Sequence, residues 1–244
     1  MISFGGKEMQ ILISIIALIT LASAGATVIL RRKGRSFDGM LFKFLSSFGF
    51  MSVAVLGFCI NPDCDADYFC LVLFGLMFGL AGDILLGLKE IAPKFRMRLI
   101  GMGTGAFLIG HIFFLVAFLR IWEFKLVSVA LIAVVAVASA ILLKALNMKV
   151  DLRMGIILTV YYVLLWYKAI VSAWLLFQTG DAAFLVTTIG CVLFIFSDTC
   201  LALVYFTPTK SKNKLVTMEL SSYYPAQILL ALSVAFMGEI QLFA

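Results

Sequence analysis

The chain has 244 residues, of which 64% are hydrophobic and 13% charged, and its mean hydropathy is +1.14. Soluble domains carry about 25% charged residues, so this composition excludes a water-soluble globule and places most of the chain in lipid. The net charge of +6 is gathered into short loops, which makes it a topology signal and argues against a nucleic-acid partner.

Eight apolar blocks follow one another at 9–30, 39–60, 68–88, 99–119, 124–146, 154–177, 182–206 and 215–242. Each is near the ~20 residues that cross a ~30 Å hydrocarbon core at ~1.5 Å per residue. The connections are too short for a soluble domain. The expectation is therefore a single transmembrane domain over 1–244, an all-α polytopic membrane protein built as a bundle of eight transmembrane helices. The first block does not read as a signal peptide, because its basic cluster "RRKGR" (31–35) follows the apolar run. That cluster, "KEIAPKFRMR" (89–98), the stretch from Lys144 to Arg153 and "TPTKSKNK" (207–214) hold 14 of the 19 basic residues. The other side carries Lys7, Arg120 and Lys125 and is acidic at "NPDCDADY" and Asp181. By the positive-inside rule the basic loops are cytoplasmic and both termini extracytoplasmic, as in a multi-pass protein of a bacterial inner membrane or its equivalent.

Polar residues interrupt several blocks, and an ionisable group at such depth is a functional-site hypothesis by default. The second block brings Lys43, ~6 Å from the inner end of its span on the helical rise. Between the second and third, Cys59, Cys64 and Cys70 could pair if that side is oxidising. The third block, "GLMFGLAGDILLGL", places Asp83 ~7 Å from its inner end, with Gly75 and Gly79 below it at i, i+4, i+8. Such a ridge of small residues lets a neighbouring helix approach closely. The fourth, "GMGTGAFLIGH", carries His111 ~18 Å in, and the sixth carries Lys168 toward its outer half. In the seventh, Gly190, Phe194 and Asp198 repeat the ridge, with Asp198 ~12 Å deep. The eighth holds Glu219, Tyr223, Tyr224 and Gln227 around Pro225.

Polar groups from five spans thus fall in the cytoplasmic half of the bilayer, as around a cavity. The plainer alternatives are that Lys43 snorkels to the interface, Glu219 is interfacial, His111 is a satisfied core histidine, Lys168 is structural, and Tyr223, Tyr224 and Gln227 are interhelical glue. Two carboxyls at similar depth are harder to explain as packing. The ridge beneath Asp83 is expected to receive the helix that carries Asp198. Close together in a dry site the two cannot both ionise cheaply, which sets an acid beside a base, the pairing that hydrolyses acetal-like bonds through an oxocarbenium ion. No metal or cofactor motif is present, and a serine, zinc or thiol hydrolase signature is missing.

At these same residues the chain resembles a known family. "GLMFGLAGDILLGL", "GAFLIGHIFFLVAF", "GCVLFIFSDTCLAL" and "SSYYPAQILLALS" are similar, in order, to the successive motifs of the YhhN-like lysoplasmalogenases. The resemblance implies an eight-span hydrolase that cleaves the vinyl-ether bond of 1-alkenyl lysophospholipids to a fatty aldehyde and glycerophosphoethanolamine or glycerophosphocholine. It implies no cofactor and no metal, a lysophospholipid substrate, membrane lipids as surroundings, and a site in the cytoplasmic half. Position by position it marks Lys43, Asp83, His111, Asp198, Tyr223 and Gln227; Asp83 and Asp198 are then expected to be catalytic, and Lys43, His111, Tyr223 and Gln227, with the neighbouring Tyr224, to bind substrate. Two positions depart from the family pattern: Phe44 follows Lys43 where a proline is usual, and Lys168 stands where an apolar residue is expected. The rival readings are a proton-coupled transporter and a non-catalytic lipid-binding membrane protein.

Overall fold

The computed structural model describes residues 6–121, 126–146, 148 and 150–238. Among these the chain forms eight α-helices and no strand: α1 (Gly6–Arg32), α2 (Ser36–Ile60), α3 (Ala66–Leu88), α4 (Arg96–Leu119), α5 (Leu126–Ala145), α6 (Leu152–Thr179), α7 (Ala182–Phe206) and α8 (Lys212–Phe236). A single 3₁₀ turn at Pro93–Phe95 leads into α4. Lys125 and the ends of the fifth and eighth predicted blocks lie outside the described residues.

Three helix starts and one stop have a visible local cause. Asp65, Asp151 and Asp181 cap α3, α6 and α7, their carboxylates accepting from the backbone N–H of Tyr68, Met154 and Ala183. This satisfies one of the amides that a helix start leaves bare. Gly180, at φ 66°, ends α6 in the left-handed conformation that glycine adopts without strain.

Among the described residues six helices are long and apolar enough to cross a membrane: α1, α2, α3, α4, α6 and α7. α5 adds an apolar stretch over Ala130–Ala145. Large apolar side chains such as Leu18, Phe37, Val134, Ile141 and Phe177 face outward, the arrangement of a chain whose solvent is lipid. The protein is a multi-pass membrane protein. α8 matches the others in length but not in composition, since Lys212, Lys214, Glu219, two tyrosines, Pro225 and Gln227 dilute its apolar content.

Six helices close a ring in the order α2, α3, α4, α6, α7, α8 and back to α2, with α3 also touching α8 across it. α1 lies outside the ring against α2 and α8, and α5 lies outside against α6. The ends of α1, α3 and α7 and the start of α8 gather at one end, where Arg32 donates to Thr217 and Lys89 to Tyr205. At the other end Arg120 pairs with Asp67 at 2.7 Å, and the Asn61 amide donates to the Val234 and Met237 carbonyls.

The ring is tight where glycines let backbones meet. A Cβ at Gly110 would lie 2.8 Å from the Gly75 carbonyl oxygen, and one at Gly190 would lie 3.1 Å from that of Ala226. Hence α3 presses on α4 and α7 on α8.

Candidate functional site

The buried polar residues expected at the site fall, apart from Glu219, into two groups on opposite sides of an aromatic layer. The first joins α2, α3 and α8. Asp83 is the hub, only 1% exposed. One of its oxygens faces the Lys43 ammonium at 2.8 Å. The other accepts from the Ser47 hydroxyl at 2.6 Å and the Tyr223 hydroxyl at 2.8 Å. Gln227 donates to the Tyr223 oxygen at 3.1 Å, and its own carbonyl oxygen has no hydrogen-bond partner among the described residues. Gly79 makes room for that amide, since a Cβ there would sit 2.7 Å from Nε2. Tyr224 lies fully buried beside Tyr223, its hydroxyl donating to the Lys43 carbonyl at 3.3 Å.

Lys43 therefore does not snorkel. It is 3% exposed and ion-paired. A buried lysine four residues before Ser47 and a tyrosine four residues before Gln227 put these pairs on common helix faces, so each spacing was visible in the sequence, although Ser47 was not singled out.

The second group joins α4, α6 and α7. Asp198 accepts from the Tyr161 hydroxyl at 2.5 Å and has no cation within ion-pairing distance among the described residues. Its carboxyl borders a cavity of about 30 Å³ whose other walls include Leu86, Phe107, Leu158 and Tyr162. That volume is enough for about one water. Deeper in this half, Lys168 is fully buried, its Nζ 2.9 Å from His111 Nδ1 and 5.2 Å from each of the Phe114 and Phe194 rings. With Lys168 as an ammonium, which has donors only, His111 Nδ1 accepts and Nε2 carries the imidazole hydrogen. Nε2 is buried and finds no partner among the described residues. The unassigned Tyr161 and Lys168 stand seven apart on α6, two turns along one face, which was the sequence signal for this group.

Aromatic rings join the halves. The ring of Tyr223 meets those of Phe107 and Phe194 edge-on at 5.9 and 5.4 Å, and Phe194 meets His111 at 4.4 Å. The two aspartates share no hydrogen-bond partner among the described residues.

The helix that packs on the ridge beneath Asp83 differs from expectation. α3 does not pack against α7. Gly75 meets Phe114 of α4, and Gly79 meets Gln227 of α8. Residues at i and i+4 drift ~40° around a 3.6-residue helix, so a ridge of three fans across ~80° and serves two neighbours. The same drift turns Gly190 toward α8 and Asp198 toward Tyr161 of α6.

At the basic end Glu219, expected at the interface, is buried at 4% exposure. Lys89, just beyond α3, donates to the Tyr205 hydroxyl at 2.6 Å and lies 3.4 Å from Glu90. Burial, with Arg31 and Lys43 nearby, lowers its pKa to about 8. Cys59, Cys64 and Cys70 are all unpaired thiols.

A family model described as the YhhN family matches residues 39–234. No curated protein and no solved structure matches the chain.

Proposed function

The chain belongs to the YhhN family, and on that premise we propose that it is a lysoplasmalogenase-like ether hydrolase acting on the vinyl-ether bond of 1-alkenyl lysophospholipids. We further propose that all eight helices span the membrane with both termini outside, the basic end lying in the cytoplasm. Membership supplies the expectation of a membrane hydrolase. The observation that carries the chemistry is Asp198, a carboxyl without a cation partner among the described residues, set in the wall of an otherwise largely apolar and aromatic cavity.

A vinyl ether hydrolyses by slow protonation of its β-carbon. The resulting oxocarbenium ion is trapped by water, and the hemiacetal collapses to aldehyde and alcohol. Asp198 is the carboxyl suited to deliver the proton, because no ammonium holds it as an anion and Tyr161 orients it. Asp83, facing Lys43 and two hydroxyl donors, is the carboxylate of the pair. It takes up the water's proton through the Tyr223 hydroxyl, which hands its own proton to Asp83 as it accepts the new one. Phe107, Phe194 and Tyr223 keep bulk water out and offer ring faces to the cation. The unpartnered Gln227 oxygen and His111 Nε2–H supply one acceptor and one donor for the glycerol hydroxyl or the water.

The asymmetry of the two carboxyls supports a division of roles that sequence left open. The test gives purified protein 1-alkenyl lysophosphatidylethanolamine and follows aldehyde release through a coupled dehydrogenase. Release that disappears in both Asp83→Asn and Asp198→Asn supports the reading. Release that survives in Asp198→Asn removes it from the acid's role. Uptake driven by a pH gradient, without cleavage, would replace the hydrolase by a carrier.

A further inference from the structure

Away from both polar groups, the outer face of α8 carries a second feature. At the basic end a hollow of about 170 Å³ lies among α1, α2 and α8, lined by Arg31, Arg32, Ser36, Glu90, Asn213 and Thr217. It shares Val28 and Thr217 with an apolar groove of about 330 Å³ that continues between α1 and α8 past Ala24, Gly25, Leu220 and Pro225. Neither Arg31 nor Arg32 has a carboxylate within ion-pair distance among the described residues. Arg32 is held by Thr217, to which its guanidinium donates at 2.6 Å. Pro225 lacks the N–H that would bond the Ser221 carbonyl one turn back, and both residues line the groove. An acceptor is thus left in an otherwise apolar slot.

We propose that this joined hollow and groove bind one single-chain glycerophospholipid, its phosphate on Arg31 and Arg32, its glycerol hydroxyl toward the Ser221 carbonyl, and its chain between α1 and α8. Guanidinium forks match phosphate oxygens, and neither fork is tied up by a carboxylate, since Glu90 in the wall of the hollow lies 3.4 Å from Lys89. The groove that leads out of the hollow runs between two helices, α1 and α8, which suits one chain. None of the hollow or groove residues borders the Asp198 cavity. The α1 half also lies outside the matched segment 39–234, so Arg31 and Arg32 belong to the part of the chain that the family model leaves uncovered. The site needs no hydrolysis to exist. If the proposed activity holds, it is where lysophospholipid waits at the inner surface.

The experiment measures binding of 1-palmitoyl lysophosphatidylethanolamine to the purified full chain in detergent by native mass spectrometry. This probe has an ester and no vinyl ether, so the result is independent of turnover. Losing both forks in Arg31→Gln/Arg32→Gln is expected to weaken binding about tenfold or more. Gly25→Phe fills the groove instead. A Cβ at Gly25 meets nothing within 4 Å, so the side chain enters the groove without a clash at its root, and binding is expected to fall about as far. Phosphate-free monopalmitoylglycerol is expected to bind weakly and equally to wild type and the arginine variant. Wild-type affinity in both variants overturns the site. So does monopalmitoylglycerol binding as tightly as the phospholipid.

Discussion

Three lysines are buried among the described residues, and the two inside the bundle, Lys43 and Lys168, are accommodated in opposite ways. Lys43, in α2, meets a carboxylate: Asp83 faces it at 2.8 Å, and Ser47 and Tyr223 satisfy the remaining acceptor sites. Lys168, in α6, meets no carboxylate within ion-pair distance among the described residues. Its neighbours are an imidazole nitrogen at 2.9 Å and two phenylalanine rings. The first arrangement neutralises charge inside a closed network. The second spreads a charge over polarisable groups and leaves a carboxyl, Asp198, on the same side of the aromatic layer with no cation of its own. The lesson is that burying a lysine does not by itself mark a functional group; what the partner carboxylate is left to do decides.

The sharpest way to break this contrast is Asp83→Ala. It strands a buried ammonium, so the melting temperature in detergent should fall by an amount matching about 3–5 kcal/mol. A Lys43→Met/Asp83→Leu double variant should recover most of that stability but no activity. Asp198→Asn should act the other way round. Aldehyde release should drop by about 10²–10⁴-fold, with little change in melting, because no cation is stranded.

Lys168→Met sharpens the comparison further. It relieves the burial of an ammonium but deprives His111 Nδ1 of its donor, a loss of about 1–3 kcal/mol. The net effect should stay within roughly 1 kcal/mol, far less than at Asp83. A drop as large as that of Asp83→Ala would mean that Lys168 has an ion partner after all.

The last expected effect is a pH dependence at Lys89, at the basic end. Folding lowers its pKa from 10.5 to about 8, so between those values the unfolded chain binds more protons than the folded one. Stability from this group is therefore absent below pH 8 and grows as pH rises toward 10.5. The melting temperature of wild type should rise over that window relative to that of Lys89→Met, which has no group titrating there.

Helix order and length were largely legible in the sequence. The apolar blocks overlap the helices, and the glycine ridges did mark close approach, as at Gly75 and Gly190. Lys43, Asp83, Tyr223 and Gln227, expected at compatible depths, form one hydrogen-bonded set. Ser47 and Tyr161 were missed because a serine or tyrosine in a membrane helix is unremarkable until its partner is known.

Depth along a helix follows from counting residues at a constant rise, and hydropathy marks where each span begins, so the sequence by itself determined which groups could meet in height. Direction around the helix is different. A ridge drifts by ~40° per four residues, and the neighbour it meets depends on how all the helices pack. Only the tertiary structure could decide that α3 presses on α4 and α8 while α7 turns Asp198 to α6. It likewise decided that Lys168 lies on His111, and that α1, outside the ring, completes a basic hollow with α8.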